Sequence, residues 1–534
     1  MIRLALVPLA LVATAEAAEY HYLAASEAGR LRCGAPAGFA AVDFDERGWL
    51  ADGGDRADNA VRGASSDGTS ACDVLRIRRR FDVGPEAARL VTLTLRAKYH
   101  DGLVAWINGV EVVRRRLGEE GALADERRGP EEERFVVPVG PGLLHARDNL
   151  LAVEVRSARP GRAPSAEVAL DGADGLRIIR GPYLQHVFDG TARVLLDTDL
   201  PSRVAVSYRP AGAALAEERS AKSAALATHH TVLLTGLAAG TAYRYRISAA
   251  IAGWSEGAAT AESTGEFHTP PTADHPLRFV VFGDVRSGHD VHAAIVGAVV
   301  AEDPDLVLLT GDLVDRGSDE GDWERYFEVA EPLLRQVAVY PALGNHEYVR
   351  RGEGRERFLT LFPRDGGTAW WSFDIAGVHF ICLDSEAFRD PAQLEWLTRD
   401  LAAAHARRPR AIFAFAHDGP WSSQLHGDNA VAIHDYAPLL ERGGVTVIFS
   451  GHDHDYERGQ VGGLAYVVSG GGGAELRAPR CGVPGKRRCP SRVRAFANEH
   501  HYIVVDVMKD RLRLCPKRAD GTLLEACPTL PLRR

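Results

Sequence analysis

The sequence predicts a multidomain protein in which two β-sandwiches precede a layered α/β domain. Its length of 534 residues, divided by about 150 residues per domain, gives three to four domains. From residue 19 to about 172, and again from 176 to 271, short runs of alternating polar and apolar residues are separated by Gly, Pro and Asp, as in antiparallel sheets. From about 275 to 475, continuous apolar runs alternate with helical segments, which indicates a sheet buried on both faces.

Composition excludes several classes of protein. Hydrophobic residues make up 46% and charged residues 25% of the chain, as in ordinary globular proteins. Lys and Arg number 63 against 72 Asp and Glu, which gives a net charge of −9. A chain without excess positive charge does not gather nucleic acid through its overall potential. We therefore expect a small or local ligand and no bulk nucleic acid binding.

Residues 1–18 have the pattern of a cleaved secretory signal peptide. Arg3 precedes an uncharged run from Leu4 to Ala15, and Ala15-Glu16-Ala17 matches an A-x-A-like cleavage site. This run is too short for a membrane helix, which needs about 20 apolar residues, and the sequence contains no longer one. The sequence thus predicts a secreted or periplasmic protein without a transmembrane anchor.

Seven cysteines follow. In an oxidising compartment their spacing favours local disulfides, although spacing alone does not prove a pairing. Cys382 lies inside the apolar run VHFICLD and is expected to be a buried free thiol. The expected pairs are Cys33 with Cys72, Cys481 with Cys489, and Cys515 with Cys527.

The first predicted sandwich, residues 19–172, contains Trp49, Trp106 and the hairpin signal Asn108-Gly109. The stretch resembles galactose-binding-like jelly rolls. That resemblance leaves two roles open, a carbohydrate partner and a packing or spacer function.

The second predicted sandwich, residues 176–271, opens with GPYLQ and contains TGLAAGTAYRYRI. Leu237, Tyr243 and Tyr245 alternate as they would along a strand, and a tyrosine at such a corner can bond its hydroxyl back to the main chain. The region resembles a fibronectin type III domain. Residues 476–534 contain four cysteines and a strand pair near HYIVVDVMKDRLRL, which indicates a β extension that closes the preceding domain.

Polar residues stand just past the ends of the apolar runs in the predicted α/β domain. Ligands of α/β sheets collect at the carboxyl ends of the strands, so we expect these residues to meet at one edge. One such residue would mean little, because a GD at a strand end is usually a turn and a lone histidine is usually not a ligand. The candidates are Asp284, Asp312, Asn345, His417, His452 and His454.

The chemistry of this set points to metal ions. Carboxylates, an amide and imidazoles without a thiolate suit Mn, Fe or Zn better than a closed structural zinc site. Two cations about 3.5–4 Å apart that share a carboxylate can stabilise both the attacking and the leaving oxygen of an in-line displacement. Asp312 is the expected bridging residue, and the cofactors are two divalent or trivalent ions.

The α/β region contains the motifs GDVR, GDLVDRG, GNHE, FAHDGP and GHDHDYERG. These resemble the calcineurin-like metallophosphoesterases. The opening GPYLQ and the order of domains resemble purple acid phosphatases, in which a fibronectin type III-like module precedes the catalytic domain. The resemblance implies a four-layer α/β sandwich. It also implies one metal ion held by Asp284, Asp312 and His454 and another held by Asp312, Asn345, His417 and His452.

The sequence departs from the family pattern at Arg286, where the family often has a histidine ligand. A guanidinium has no lone pair to donate, so it cannot bind a metal ion. Water, His289 or His292 could complete the first metal site, although both histidines are expected on a helix surface. Arg286 either binds a phosphate oxygen or forms an ion pair with a neighbouring carboxylate.

A second departure is Asp315, where purple acid phosphatases have the tyrosine that gives their colour; the protein should therefore not be purple. GDLVDRG with GNHE instead resembles the Asp-His dyad of the phosphoprotein phosphatases. The resemblance implies that His346 is the general acid, oriented by the Asp315 carboxylate. It also implies that Arg316 either binds phosphate or is an exposed loop residue.

These features predict hydrolysis of a phosphate monoester by a metal-bound hydroxide, without a phosphoenzyme. A phosphodiesterase acting on nucleotides or phospholipid head groups is one alternative. A glycan-binding surface protein with a degenerate phosphatase domain is another. His426 is a further candidate for substrate contact. Gly470–Gly473 lacks the Lys-Ser/Thr end of a P-loop, so it is expected to be a mobile loop at the edge of the site.

Overall fold

The computed structural model describes residues 19–24, 30–33, 38–47, 50–51, 74–99, 101–117, 131–157, 164–188, 190–251, 260–349 and 352–533. The predicted signal peptide lies outside these residues. So do Cys72 and the side chain of Cys33, the first expected disulfide. Within the described ranges, no helix combines the length and the apolar character that crossing a bilayer requires. The residue limits predicted for each domain stay predictions, whereas the grouping of strands into sheets is observed.

The first β region consists of two antiparallel sheets packed face to face. Strand β5 shows why: its sequence TLTLRAKY buries Leu93, Leu95 and Ala97 and turns Arg96 and Lys98 outward. The sheet orders are β1-β10-β5-β8 and β3-β2-β4-β9-β6-β7. The strands are β1 (Glu19–Leu23), β2 (Arg30–Cys33), β3 (Leu50–Ala51), β4 (Val74–Phe81), β5 (Thr92–Tyr99), β6 (Gly102–Ile107), β7 (Val110–Arg115), β8 (Glu131–Pro138), β9 (Asn149–Arg156) and β10 (Ala166–Ala173).

The second β region is built around one long strand, β12, which pairs with four neighbours. The backbone N–H of Ala238 donates to the Tyr243 hydroxyl at 2.9 Å, which is the corner bond that the sequence suggests. Tyr245 is buried as well, in agreement with the alternation. The strands are β11 (Ile178–Phe188), β12 (Thr191–Pro210), β13 (Arg219–Lys222), β14 (Ala227–Thr235), β15 (Ala242–Ala250) and β16 (Thr260–His268).

The α/β region has two sheets, each with a parallel core. The first runs β19-β18-β17 and the second β20-β21-β22-β23-β25-β24. The strands are β17 (Leu277–Phe282), β18 (Leu306–Leu309), β19 (Val339–Pro341), β20 (Trp371–Ile375), β21 (Val378–Cys382), β22 (Ala411–Phe415), β23 (Val447–Ser450), β24 (Tyr456–Val461) and β25 (Leu464–Ser469). The α-helices are α1 (His289–Ala301), α2 (Glu320–Leu334), α3 (Asn345–Tyr348), α4 (Arg355–Leu361), α5 (Pro391–Arg407) and α6 (Ala437–Arg442).

The two sheets pack against each other and helices cover their outer faces. The ring of Phe279 on β17 packs against three rings of the second sheet. The distances between ring centroids are 5.3 Å to Phe380, 5.2 Å to Phe413 and 6.0 Å to Phe449. The opposite face of the first sheet packs on α1 and α2, and that of the second on α5 and α6. Strands buried on both faces have the continuous apolar sequences that the analysis identified. The predicted four-layer α/β sandwich is confirmed.

The C-terminal strands complete both sheets of the α/β region. β27 pairs antiparallel with β17 and lies at the centre of the first sheet, and β26 pairs with β24 at the edge of the second. The expected disulfides Cys481–Cys489 and Cys515–Cys527 are both formed, and Cys382 is a buried free thiol. The strands are β26 (Val493–Ala497), β27 (Tyr502–Val507), β28 (Arg511–Lys517) and β29 (Thr529–Pro531).

Candidate metal centre and its rim

The six predicted ligands lie together at the carboxyl ends of the strands of both sheets of the α/β region. Asp284 follows β17 and Asp312 follows β18, while Asn345 begins α3 just after β19. His417 follows β22 of the second sheet. Parallel strands with a common direction bring these otherwise distant positions to one edge. We call this group the floor of the site: Asp284, Asp312, Asn345, His417, His452 and His454.

The donor atoms of the floor converge. Ligand atoms of Asp284, Asp312 and His417 all lie within 4.8 Å of one another. His417 Nε2 is 2.9 Å from Asn345 Oδ1 and 3.3 Å from Asp312 Oδ1. His452 Nδ1 is 3.1 Å from His417 Nε2. These five residues therefore surround one small volume.

The imidazoles of the floor present lone pairs to that volume. His417 Nδ1 lies 2.9 Å from the Thr310 carbonyl, and His454 Nδ1 lies 2.6 Å from the Glu475 carbonyl. A carbonyl only accepts, so each Nδ1 carries the proton and each Nε2 is left with a lone pair. His454 Nε2 is 3.5 Å from Asp284 Oδ1, so its lone pair faces the carboxylate cluster.

The charges of the floor fit a bound cation. Burial and the charge of Asp312 raise the pKa of Asp284 well above its usual value. Burial lowers the pKa of His452 to about 3 and that of His454 to about 4, so both rings are neutral. Two buried carboxylates beside neutral imidazole nitrogens form a donor set for metal ions with nitrogen and oxygen preferences.

Three floor residues have a left-handed backbone conformation. The φ angles are +56° at Asp284, +55° at Asp312 and +68° at His452. Residues other than glycine adopt this region at a cost of about 1–2 kcal/mol. Such strain persists where the surrounding structure holds it, and it is common at functional sites. The conformation turns each ligand sharply out of its strand.

Glu347, which the sequence analysis missed, fixes the loop that carries Asp312. Its carboxylate is fully buried and accepts four backbone N–H bonds, from Asp312 at 2.9 Å, Leu313 at 2.6 Å, Val314 at 3.1 Å and Gly344 at 2.9 Å. Burial and the charge of Asp312 raise the pKa of Glu347 to about 8. The motif GNHE contains this residue, but nothing in the motif indicates that the carboxylate points inward.

The glycine run Gly470–Gly473 is buried, so the expectation of a mobile loop was wrong. A Cβ at Gly470 would lie 2.2 Å from the Asp453 carbonyl oxygen and 2.9 Å from Asp284 Oδ2. The backbone N–H of Gly472 donates to the Gly283 carbonyl at 2.9 Å. The glycines are needed because the chain packs directly against the end of β17.

Arg286 forms ion pairs with carboxylates of the site. Its guanidinium is 2.6 Å from Asp315 Oδ1, and Arg286 Nε is 3.6 Å from Asp312 Oδ2. Of the two roles considered for Arg286, a phosphate contact and an ion pair with a neighbouring carboxylate, the structure has the ion pair. His292 was considered as a replacement ligand but was expected on a helix surface. It is instead buried, and its ring stacks on Tyr326 with centroids 5.8 Å apart. Burial lowers the pKa of His292 to about 3.

His346 is oriented by a main-chain group. Its Nδ1 lies 2.6 Å from the Asp315 carbonyl oxygen and 3.6 Å from the Asp315 carboxylate. Its Nε2 is 3.9 Å from Asp312 Oδ2 and so faces the floor. Asp315 is therefore next to His346 as expected, but the nearer contact is through the backbone, and the carboxylate pairs with Arg286.

The two remaining predicted residues are Arg316 and His426. Arg316 is half-buried in the loop between Asp315 and α2. The His426 ring stacks on His452 with centroids 3.7 Å apart, and its Nδ1 is 3.0 Å from Asp453 Oδ1. Together these side chains form what we call the rim of the site: Arg286, Asp315, Arg316, His346 and His426.

A separate polar cavity of about 240 Å³ lies on the outer face of the first β region. Arg96, Lys98, Glu167 and Asp171 are among its lining residues. Arg96 pairs with Asp171 at 3.1 Å, and Lys98 stands opposite Glu167 in the strand ladder. The carbohydrate partner stays a prediction.

Comparison with known proteins identifies the family. The model of the calcineurin-like phosphoesterases matches residues 277–456. The tartrate-resistant acid phosphatase type 5 of Mus musculus is 37% identical over 254 residues, which cover 38% of this chain and 75% of that protein. The chain belongs to the calcineurin-like phosphoesterases. Its catalytic domain is that of a metal-dependent, acid phosphatase-like hydrolase.

Plant purple acid phosphatases also match this phosphoesterase. Purple acid phosphatase 22 of Arabidopsis thaliana is 29% identical over 207 residues, which cover 36% of this chain and 47% of the relative. Purple acid phosphatase 15 of the same species is 26% identical over 310 residues, covering 49% and 56%. The chain thus spans about half the length of these relatives.

A solved structure extends the match to the domain order. The purple acid phosphatase PPD1 from yellow lupin (Lupinus luteus) seeds has a TM-score of 0.59 at 14% identity, and the match covers 86% of this chain and 93% of that one. At this identity the match shows a shared fold. It includes regions that precede the catalytic domain, in agreement with the predicted architecture.

Proposed function

We propose that the protein is an exported, metal-dependent phosphoesterase that hydrolyses phosphate monoesters. The observation that carries the proposal is the floor, where buried carboxylate, amide and imidazole donors from separate strand ends converge on one volume. Asp284, Asp312 and His454 would hold one ion, and Asp312, Asn345, His417 and His452 the other. Metal ions bound there supply Lewis acidity towards phosphoryl oxygens and lower the pKa of water.

The chain's own residues then bind the substrate and supply a proton. Arg286 lies beside the floor, so its guanidinium can neutralise a phosphoryl oxygen, and we propose the same role for Arg316, which follows Asp315 in sequence. Because His346 Nδ1–H donates to the Asp315 carbonyl, a second proton on the ring sits on Nε2, which faces the floor. Nε2 would pass that proton to the departing ester oxygen.

The rim favours a monoester over a diester, because a monoester carries more negative charge and the rim offers two guanidiniums to it. The phosphodiesterase alternative, with nucleotides or phospholipid head groups as substrates, makes a different prediction. We expect 4-nitrophenyl phosphate to be hydrolysed faster than bis(4-nitrophenyl) phosphate. The opposite ratio would support the diesterase.

Export is supported by the sequence pattern of residues 1–18 and by two disulfides, which persist in oxidising compartments. A secreted or periplasmic location would be tested by fractionating cells that express the full chain. Recovery of the protein in the cytoplasmic fraction with residues 1–18 still attached would contradict it.

Metal analysis combined with kinetics tests the function itself. The wild-type protein should contain close to two metal ions per chain and hydrolyse 4-nitrophenyl phosphate. His452→Ala should lose metal ions and most of the activity. If the variant matches the wild type in both respects, the assignment of the site is wrong.

If added Zn²⁺, Mn²⁺ and Fe²⁺ produce no turnover in the wild type, the degenerate glycan-binding alternative is favoured.

A further inference from the structure

His426 reaches the rim on a segment without helix or strand, residues 421–428, which we call the substrate loop. Its ring stacks on His452 of the floor. A loop without a ladder of backbone hydrogen bonds is held by its side-chain contacts. Ser423 and Gln424 are nevertheless buried, so this loop packs against other parts of the chain on more than one side.

The inner side of the substrate loop is bound by carboxylates that flank the floor. Asp453, which stands between the two histidines of GHDH, accepts the backbone N–H of His426 at 3.1 Å and lies 3.0 Å from His426 Nδ1. The Ser422 hydroxyl also donates to Asp453. The buried Glu457 accepts the backbone N–H of Ser423 at 3.1 Å.

The outer side is covered by a C-terminal segment, residues 480–492, which the Cys481–Cys489 disulfide closes into a loop. We call this segment the clasp. Cys481 is fully buried, with Sγ 3.2 Å from Ser423 Oγ and 3.3 Å from Gln424 Nε2. The backbone N–H of Arg480 donates to Gln424 Oε1 at 2.8 Å.

Arg492 closes the far end of the clasp. Its guanidinium donates to the Ser422 carbonyl at 3.2 Å and to Asp428 Oδ1 at 2.5 Å. The clasp therefore contacts the substrate loop on both sides of His426 in sequence.

We propose that the clasp positions His426 for the phosphate group of the substrate, so that the Cys481–Cys489 disulfide sets the affinity for phosphate. The inference rests on the proposed function, because it assigns His426 to substrate at that same site. His426 is the residue that touches phosphate; the clasp residues are positioning residues that act through it. Breaking the clasp should weaken phosphate binding and leave the floor and its metal ions in place.

The second C-terminal disulfide provides a matched control. Cys515 and Cys527 pack with the cluster beneath α1 and α2, on the other catalytic sheet. The test compares the double variants Cys481→Ser/Cys489→Ser and Cys515→Ser/Cys527→Ser. It measures kcat and KM for 4-nitrophenyl phosphate, the inhibition constant of inorganic phosphate, metal content, melting temperature, and hydrogen exchange of the peptide that contains residues 421–428.

In the Cys481→Ser/Cys489→Ser variant we expect KM and the inhibition constant of phosphate to rise about tenfold. An effect of this size corresponds to the loss of one hydrogen bond to a charged group. Metal content should stay unchanged and the substrate loop should exchange faster. The Cys515→Ser/Cys527→Ser control should have a lower melting temperature than the wild type, while both constants stay within about twofold of the wild-type values. In a His426→Ala background, breaking the clasp should add nothing, because coupled residues are not additive.

A variant of Arg492 keeps the test decisive should the cysteine variant fold poorly. Arg492→Gln removes the contacts to Ser422 and Asp428 and keeps the disulfide, and we expect it to raise KM about two- to fivefold. Arg494→Gln, an exposed neighbour on β26, is its control and should change nothing.

Three results separate the possibilities. An active wild type whose clasp variants keep KM, the phosphate constant and loop exchange unchanged would overturn the inference alone. An equal increase of KM in the wild-type and His426→Ala backgrounds would also overturn it, because the clasp would then act elsewhere. A wild type that hydrolyses no phosphoester would remove the proposed function and this inference with it.

Discussion

The floor and the rim of the site use similar polar residues, but they are held in different ways. Asp284, Asp312 and His417 of the floor are almost fully buried and are bonded to main-chain groups of neighbouring strand ends. In the rim, His346 is half-buried and His426 is exposed, and each is oriented by a contact from one loop. The fold itself thus fixes the floor, whereas local loop contacts fix the rim.

Removing the proton donor should separate the two regions most strongly. We expect His346→Gln to lower kcat by about 10²- to 10⁴-fold for alkyl phosphates while the metal content stays unchanged. The loss should be much smaller for 4-nitrophenyl phosphate, because 4-nitrophenolate leaves without a proton. Steady-state kinetics on both substrates measures the difference. An equal loss on both would show that His346 does not act as the acid.

The floor should respond through metal affinity. Glu347→Gln places an amide donor against backbone N–H donors, so the Asp312 loop should loosen. We expect affinity for Zn²⁺ or Mn²⁺ to fall by about 10- to 100-fold, with kcat recovering at high metal concentration. Titration of the metal-free protein measures this, with the exposed Glu356→Gln as control. An unchanged affinity would rule out the supporting role of Glu347.

A milder change tests how the rim orients His346. Since the Asp315 carbonyl is the nearer partner, Asp315→Asn should keep His346 in place and lower kcat less than about tenfold. KM should change more than kcat, because Arg286 loses its ion pair. A loss of kcat as large as that of His346→Gln would instead support the carboxylate dyad that the sequence suggests.

The smallest expected effect concerns His379, whose strand β21 belongs to the same sheet as His417. Its ring lies between Asp374 and Asp400, 2.9 Å from each. Burial alone would lower the pKa of His379, but these hydrogen bonds outweigh burial and raise the pKa above its usual value. The floor histidines His452 and His454 have lowered pKa values instead, which suits metal binding.

Because the pKa of His379 is raised in the folded state, this histidine stabilises the folded protein at pH values below its unfolded pKa of about 6.5. That stabilisation is lost as the pH rises through the folded pKa. Burial would raise the pKa of Asp374, but its partners lower the pKa. The stabilisation that Asp374 contributes is therefore lost at acidic pH, as the pH falls through its folded pKa. His379→Gln should therefore lower the melting temperature by about 2–4 °C near pH 5–6, and less near pH 8. Thermal unfolding at these pH values measures it. A difference that grows with pH would contradict the assignment.

The floor could be predicted from sequence because its residues follow recognisable apolar strands. Asp284, Asp312 and His417 each stand just past such a run, and parallel strands leave little freedom in where those positions meet. The layered α/β domain was predictable for the same reason, whereas the four-layer sandwich came from the family resemblance. Glu347 was missed because its four backbone partners come together only after folding.

The rim was predictable as a set of residues but not as a set of contacts. Nothing in GDLVDRG shows that His346 lies nearer to the Asp315 backbone than to its carboxylate. Gly470–Gly473 looked like a mobile loop because glycine runs allow flexibility, but here they allow close packing against β17. Both errors concern tertiary distances, which local patterns do not encode.

The place of β27 has a consequence for biosynthesis. This strand comes late in the chain and pairs with β17, whose end carries Asp284. A ribosome must therefore translate residues 502–507 before the central strand of the first catalytic sheet has both neighbours. A chain translated only as far as His454 contains every floor ligand, but the β17 strand that precedes Asp284 still lacks its β27 neighbour.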